Sequence, residues 1–396
     1  MPSKLTKINS LLLAAVIILG FNTYIVQNKL GFSEFIAEGL PMVIGIIIFA
    51  GLIFFGKYDK NIVFDNSYVY YTIIYIIYLI FITSYYIVIN DESLLRYIFL
   101  YQYLPPLSIM MYANSKYIDI NFEFGFFLMA FAASISSVFA LGQFFHFIEI
   151  VPIDINRARG LSRSTLNYSS LMFLGFLAAW NIRCNFYRFF FMFIIAIGVL
   201  CSQSRGALLA CFTFIFLISI KKIKFLSPKI IIIFILFLLP LILVLLFLSE
   251  FKVYSSASVN ELIWRLSNTF NFTSGDNALR SARYWDVIND FHLYGRGVGA
   301  TGPASGRINP GAVHYESFVL ALLVHGGFIG VLYYMATISS ILRAIGKGAL
   351  NIFPYIAAFF VMMTVQQTFE TPTVNTMAWL LILLVLTKHL KLNISK

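Results

Sequence analysis

Residues 67–89 read SYVYYTIIYIIYLIFITSYYIVI, 23 residues without a charge. As a helix rising 1.5 Å per residue this stretch is about 34 Å long. A bilayer core takes about 20 apolar residues to cross. A β-barrel strand would be about 10 residues long and alternate in character, so the stretch reads as a transmembrane helix. Eleven further apolar runs, rich in Ile, Leu, Phe and Val, lie near 9–26, 36–56, 97–113, 124–147, 166–182, 188–203, 206–220, 230–249, 316–337, 350–369 and 374–388. The first follows Lys4 and Lys7 and has no small-residue cleavage site, so it reads as a retained helix and not a signal peptide. No internal repeat stands out.

Composition agrees. The chain has 396 residues, 60% hydrophobic and 11% charged, with mean hydropathy +0.85. A soluble domain carries about a quarter charged residues. An ordinary cytosolic enzyme, a nucleic-acid module and a disordered chain are excluded. The expectation is an all-α polytopic membrane protein with about 12 transmembrane helices. Residues 1–249 hold nine of them, 250–313 form one long outer segment, and 314–396 hold the last three. Cys184, Cys201 and Cys211 lie in or beside apolar runs without CxxC spacing and read as packing residues.

The net charge is +11. With a cytoplasmic N-terminus, sixteen Lys and Arg fall in inner segments and six in short outer ones, as the positive-inside rule asks. Both termini are then cytoplasmic. The inner cations are 13 Lys and 3 Arg; the outer ones, long segment included, are 2 Lys and 10 Arg. Arginine is suited to planar, bidentate contact with phosphate or carboxylate. Its excess outside points either to an anionic ligand there or to ordinary pairing with loop acids.

Four outer clusters carry candidate chemistry. Asn156-Arg157-Ala158-Arg159-Gly160, with Arg163 and Asn167, enters the sixth run. Ser202-Gln203-Ser204-Arg205-Gly206 makes the tight turn between the seventh and eighth. Arg205 is costly facing lipid and sits near a helix N-terminus that favours anions; the bland alternative is a snorkelling interface arginine. In the long segment, short helices are expected over 258–268 and 278–292, the second carrying Arg280, Arg283 and Trp285. Gly295-Arg296-Gly297-Val298-Gly299 follows. Without a βαβ unit it is no dinucleotide fingerprint. It reads as a flexible turn that lets backbone approach closely, or as a backbone nest for phosphate. His314-Tyr315-Glu316-Ser317 opens the tenth run. There Glu316, Leu320, Leu323, Gly327 and Gly330 share one face if the helix is continuous. Glu316 is a candidate general base or merely a helix N-terminal acid, with His314 the alternative base. Gln366, Gln367 and Glu370 could line the same cavity.

In order and topology these segments resemble the bacterial O-antigen polymerase and O-antigen ligase superfamily. Ser202–Ala210 is similar to the family's Ser/Thr-x-Ser/Thr-Arg turn, Arg157-x-x-Gly160 with Asn167 to its Arg-x-x-Gly…Asn segment, and Gly295-x-Gly297-x-Gly299 to its glycine turn, although the proline usual before that turn is absent. Eleven residues before Gly327 stands Glu316, followed by Ser317, where ligases of the family have His-Asn; this favours polymerase over ligase. The resemblance implies a GT-C-like glycosyltransferase architecture in the bacterial inner membrane. It implies undecaprenyl-diphosphate-linked glycans as substrates, membrane lipids as surroundings, a chain-length regulator protein as partner, and no nucleic acid. Arg157, Arg159, Arg205 and Arg283 would hold the diphosphate. Glu316 or His314 would act as base, and Asn167, Arg280, Gln366 and Gln367 would line the cavity. The chain shows no DxD-type metal cluster, so a metal-independent reaction without cofactor is expected. The alternatives are an O-antigen ligase delivering polymer to lipid A-core and, from another class, a flippase for the same lipid-linked glycan.

Overall fold

The structure, a computed structural model, describes residues 4–31, 33, 36–37, 39–44, 67–90, 92–103, 121–148, 157–162, 164–222, 262, 264, 275–289, 291–301, 317–345, 349–366 and 371–394. Regular structure among them is helical: α1 (Lys4–Phe21), α2 (Thr23–Asn28), α3 (Ser67–Asn90), a 3-10 helix (Leu94–Tyr103), α4 (Phe122–Phe144), α5 (Thr165–Trp180), α6 (Asn185–Cys201), α7 (Arg205–Lys222), α8 (Gly275–Asn289), α9 (Phe318–Ile345), α10 (Ala349–Val365) and α11 (Pro372–Ile394). The run at 230–249 lies outside the described residues. Tyr70–Asn90, Phe122–Phe144 and Phe318–Ser340 are long and apolar enough to cross a membrane, and five shorter apolar helices accompany them among the described residues. The short helix expected at 278–292 is α8. The run at 97–113 begins as a 3-10 helix, ahead of Pro105 and Pro106, which disfavour α conformation in the residue before each.

The chain divides into two compact units. Unit 1 comprises Met1–Pro41, Ile120–Phe270 and Phe353–Met362; unit 2 comprises Met42–Asp119, Asn271–Ile352 and Met363–Lys396.

In unit 1, α4, α5 and α6 pack against one another, with α1 on α4 and α7 on α5. Helices in lipid gain little from the hydrophobic effect and associate through small residues that admit close approach. Here a Cβ on Gly175 would collide with Ala133, and one on Gly198 with Ser137 and the Tyr168 hydroxyl. The Ser134 and Ser137 hydroxyls donate to carbonyls four residues back, at 2.8 and 2.9 Å, and so are not left unpaired in an apolar interior. Asn121 caps α4 by accepting from the Phe124 amide. Phe173 meets Phe359 edge to face, and Phe214 meets Tyr355, whose hydroxyl accepts from Asn181 at 2.8 Å.

In unit 2, α3 packs on the 3-10 helix and on α9, α8 covers the first turns of α9, and α11 packs on α9 and the 3-10 helix. Val287 of α8 meets Leu320 of α9, and the Tyr284 hydroxyl donates to the Thr364 carbonyl. The Asn375 amide of α11 donates to the Gln102 carbonyl at 2.6 Å. Trp285, Ile288, Phe291 and Tyr294 are exposed aromatic and aliphatic side chains; such residues suit a membrane–water boundary.

The continuous helix expected from Glu316 to Gly330 is corrected here. At Gly327 φ is 55° and ψ is −141°, and α9 breaks. The face shared by Leu320, Leu323, Gly327 and Gly330 is therefore interrupted. Gly327 lies nine residues into a spanning-length segment, about 14 Å along it. Backbone freed at such a depth must find partners inside the protein. The strap of residues 291–301 provides them. Its Arg296 and Gly297 amides donate to the Val324 and His325 carbonyls at 2.6 and 3.0 Å, and the Phe328 amide donates to the Leu293 carbonyl at 3.0 Å.

Candidate functional site

Two irregular segments carry the polar chemistry, one in each unit.

In unit 1 the segment is the loop 157–162, which leads through Ser164 into α5. The Gln143 carboxamide at the end of α4 holds it at three points. Its oxygen accepts from the Arg159 and Gly160 amides at 3.0 and 2.9 Å, and its nitrogen donates to the Gly160 carbonyl at 2.9 Å. Ser136 Oγ accepts from the Leu161 amide at 3.0 Å. Gly160 has φ +56°, and a Cβ there would run into Ser136 and Tyr168. The close approach therefore requires glycine.

The same loop is stitched to the turn between α6 and α7. The Ala158 amide donates to the Cys201 carbonyl at 3.2 Å, and Arg157 Nε donates to the Ser202 carbonyl at 3.2 Å. Gln203 adopts φ 53°, and Ser204 caps α7, its hydroxyl accepting from the Ala207 amide at 3.4 Å. Arg205 is the first residue of α7. Ser164 caps α5, accepting from the Asn167 amide at 3.1 Å. The first two sequence clusters thus form one assembly with the N-termini of two helices in it. Arg157, Arg159 and Arg205 are half-buried, and Asn167 is buried. Ser162 and Thr165 are buried as well.

In unit 2 the strap 291–301 threads between α3, the 3-10 helix and the break in α9. Arg96 is its anchor. This guanidinium donates to the Val298 carbonyl at 2.9 Å and to the Arg296 carbonyl at 2.5 Å, and pairs with Glu92. Burial pulls its pKa down to about 10, which still leaves it cationic at neutral pH. Thr83 Oγ1 accepts from the Val298 amide at 3.0 Å and donates to the Leu79 carbonyl at 2.6 Å. His325 Nε2 lies 3.2 Å from the Thr301 carbonyl; a carbonyl only accepts, so the proton sits on Nε2. Gly295, Gly297 and Gly299 all have positive φ, and a Cβ would strike the His325 carbonyl, Thr83 and Phe99 respectively. The close-approach reading of this glycine turn holds, with the broken helix and α3 as the backbone approached.

Arg283 is half-buried on α8, Arg280 lies on the same helix, and Gln366 is buried just after α10. Glu316, His314, Gln367 and Arg163 lie outside the described residues. Sequence reading missed the clamps. Arg96 counted only as an outer cation, and Gln143, Ser136 and Thr83 sat unnoticed inside apolar runs. A polar residue capable of several hydrogen bonds within such a run is the signal that marks them. His325 belongs with them, as a buried ionisable residue within a spanning-length helix.

Among the described residues regular structure is helical, and three apolar helices of spanning length point to a membrane-associated protein. No protein-family model matches the chain, and no curated protein matches it.

Proposed function

We propose that the chain is a glycan-joining enzyme of the bacterial inner membrane: a polymerase of O-antigen or a related surface polysaccharide, with about 12 spans in a GT-C-like arrangement. Its substrates would be undecaprenyl-diphosphate-linked oligosaccharide units presented on the periplasmic side. The observation that carries this reading is the joining of loop 157–162 to the Ser202–Arg205 turn, with three arginines and two helix N-termini in one assembly. Helix N-termini and arginines favour a phosphate ligand.

In this reading Arg157, Arg159 and Arg205 hold the donor diphosphate. The acceptor sugar hydroxyl attacks the anomeric carbon and its proton passes to Glu316 or His314. The bond from that carbon to the phosphate oxygen breaks, and the electron pair leaves with the diphosphate, where the arginines stabilise the growing charge. Direct displacement inverts the anomeric centre. Membrane lipids and a chain-length regulator are the expected partners.

One observation favours a second reading. A helix broken within a spanning segment, as α9 is at Gly327, is also a feature of transporters. In this chain, however, the strap hydrogen-bonds to the carbonyls that the break frees.

A lipopolysaccharide gel from a strain lacking the protein, run beside extracted lipid-linked glycans, separates the readings. A ladder reduced to core plus one unit is the polymerase result. Long polymer accumulating on the lipid carrier means a ligase. Single units held at the cytoplasmic face mean a flippase.

A further inference from the structure

We infer that the hydroxyls of Ser162 and Thr165, at the entry to α5, are direct phosphate ligands and complete a cradle for one phosphoryl group with Arg157 and Arg159. The identity of that group as part of a lipid-linked diphosphate rests on the function proposed above.

Three observations meet at this point of the fold. The first is a helix N-terminus. α5 is 16 residues long, and its Ser164 cap accepts the Asn167 amide. The first turn of a helix has more amides than one cap can take, and they carry partial positive charge. The second is a pair of buried hydroxyls. Ser162 is 0% and Thr165 3% exposed, and neither Ser162 Oγ nor Thr165 Oγ1 has a hydrogen-bond partner. Three serine hydroxyls of this region behave differently. Ser136 Oγ accepts from Leu161, Ser164 Oγ from Asn167, and Ser202 Oγ donates to Val199 and accepts from Ser204. Buried polar groups in folded proteins find partners, and an exception points to a bound water, ion or ligand.

The third observation is rigidity. Gln143, Ser136 and the Cys201 carbonyl take up the amides of residues 158–161, and the Ser162 amide closes a turn on the Arg159 carbonyl at 3.0 Å. The amides of residues 158–162 are occupied, so the Ser162 and Thr165 hydroxyls are what this part of the fold can offer a ligand, with Arg157 and Arg159 supplying positive charge beside them. Hydroxyl donors, cationic guanidiniums and a helix N-terminus together suit a phosphoryl dianion better than a neutral sugar.

The test uses the purified full chain in lipid nanodiscs, with inorganic pyrophosphate and undecaprenyl diphosphate as separate probes. Ser162→Ala and Thr165→Val remove the hydroxyls with little change of shape. Their melting temperatures should equal or exceed that of the parent, because a buried group without a partner contributes no stability. Binding of both probes should weaken at least about tenfold in each variant, which corresponds to about 1.4 kcal/mol. Weakened binding of undecaprenyl diphosphate alone would still support the cradle and would show that the lipid chain is needed for capture. Unchanged binding of both probes in the variants, or no binding by the parent protein, overturns the proposal. The glycan-joining reading is judged apart, by the gel. A cradle that binds in a protein whose loss leaves the ladder intact would refute that function and keep the site. A collapsed ladder with hydroxyl-independent binding would do the reverse.

Discussion

Loop 157–162 and strap 291–301 are both irregular segments set among apolar helices, and they are held in opposite ways. The loop's backbone is gripped by neutral side chains, Gln143 and Ser136, while the Arg157 Nε donates to the Ser202 carbonyl of the neighbouring turn. The strap is gripped by a charge. The Arg96 guanidinium is committed to two strap carbonyls and to Glu92. An arginine at such a segment can therefore serve as a fastening, as Arg96 does, or leave that task to a neutral side chain. Where a glutamine does so, the backbone is fixed by a neutral group and not by a guanidinium.

The largest expected effect lies on the fastening. Arg96→Ala strands Glu92 and two buried carbonyls. Removing one member of a buried ion pair costs about 3–5 kcal/mol, and the low end applies because Glu92 keeps some contact with water. Thermal melting in detergent, followed by tryptophan fluorescence, should show a clear fall. Arg96→Lys should recover little, because one ammonium cannot reproduce the planar fork that reaches all three acceptors. A melting temperature unchanged in Arg96→Ala would mean that the break in α9 holds the strap unaided.

The opposite pattern is expected for Arg205→Ala. On the function proposed above, folding should survive while polymer formation falls about a hundredfold or more, the usual cost of losing one donor to developing charge. The readout is the polymer ladder from a complemented deletion strain, together with protein content in the membrane fraction. An intact ladder would move Arg205 into the same class as Arg96.

How much of this could be read beforehand depends on the range of the interaction. The apolar runs were legible because a spanning helix takes about 20 apolar residues; among the described residues three helices are of that length and five shorter apolar ones accompany them. The glycine turn at 295–299 was legible as a place of close approach, since positive φ at three alternate glycines leaves little else. What it approaches was not. Arg96 reaches a carbonyl 202 residues away, and nothing local to residue 96 announces that. Spacing from Glu316 to Gly330 assumes an unbroken helix, and the break depends on a strap brought in by tertiary structure. At the candidate site, the grouping of Arg157, Arg159 and Arg205 was expected only through resemblance. Gln143, which makes the grouping rigid, reads in sequence as one polar residue in an apolar run.

A middle-sized effect is expected for Gln143→Leu. It releases two amides and one carbonyl of the loop, each able to turn partly toward the arginine-lined side. The net cost should be about 2 kcal/mol, less than the sum of three buried unpaired groups. The variant should also lose polymer, because the arginines no longer sit on a fixed backbone. Loss of stability without loss of polymer would separate the loop's rigidity from its chemistry.

The smallest effect is expected for Thr83→Val in the strap. Valine keeps the shape that fits beneath Gly297, where a Cβ would already collide with Thr83. It removes one acceptor, so the Val298 amide is left buried without its bond. The expected cost is about 1 kcal/mol, a single neutral hydrogen bond. Thr83→Ser retains the hydroxyl and should melt close to the parent. If Thr83→Val proves as costly as Arg96→Ala, the neutral contact and not the charge governs the strap, and the contrast between the two segments disappears. If it costs the small amount expected, the charge is the larger fastening, and an arginine engaged in that way has every guanidinium nitrogen committed to the fold.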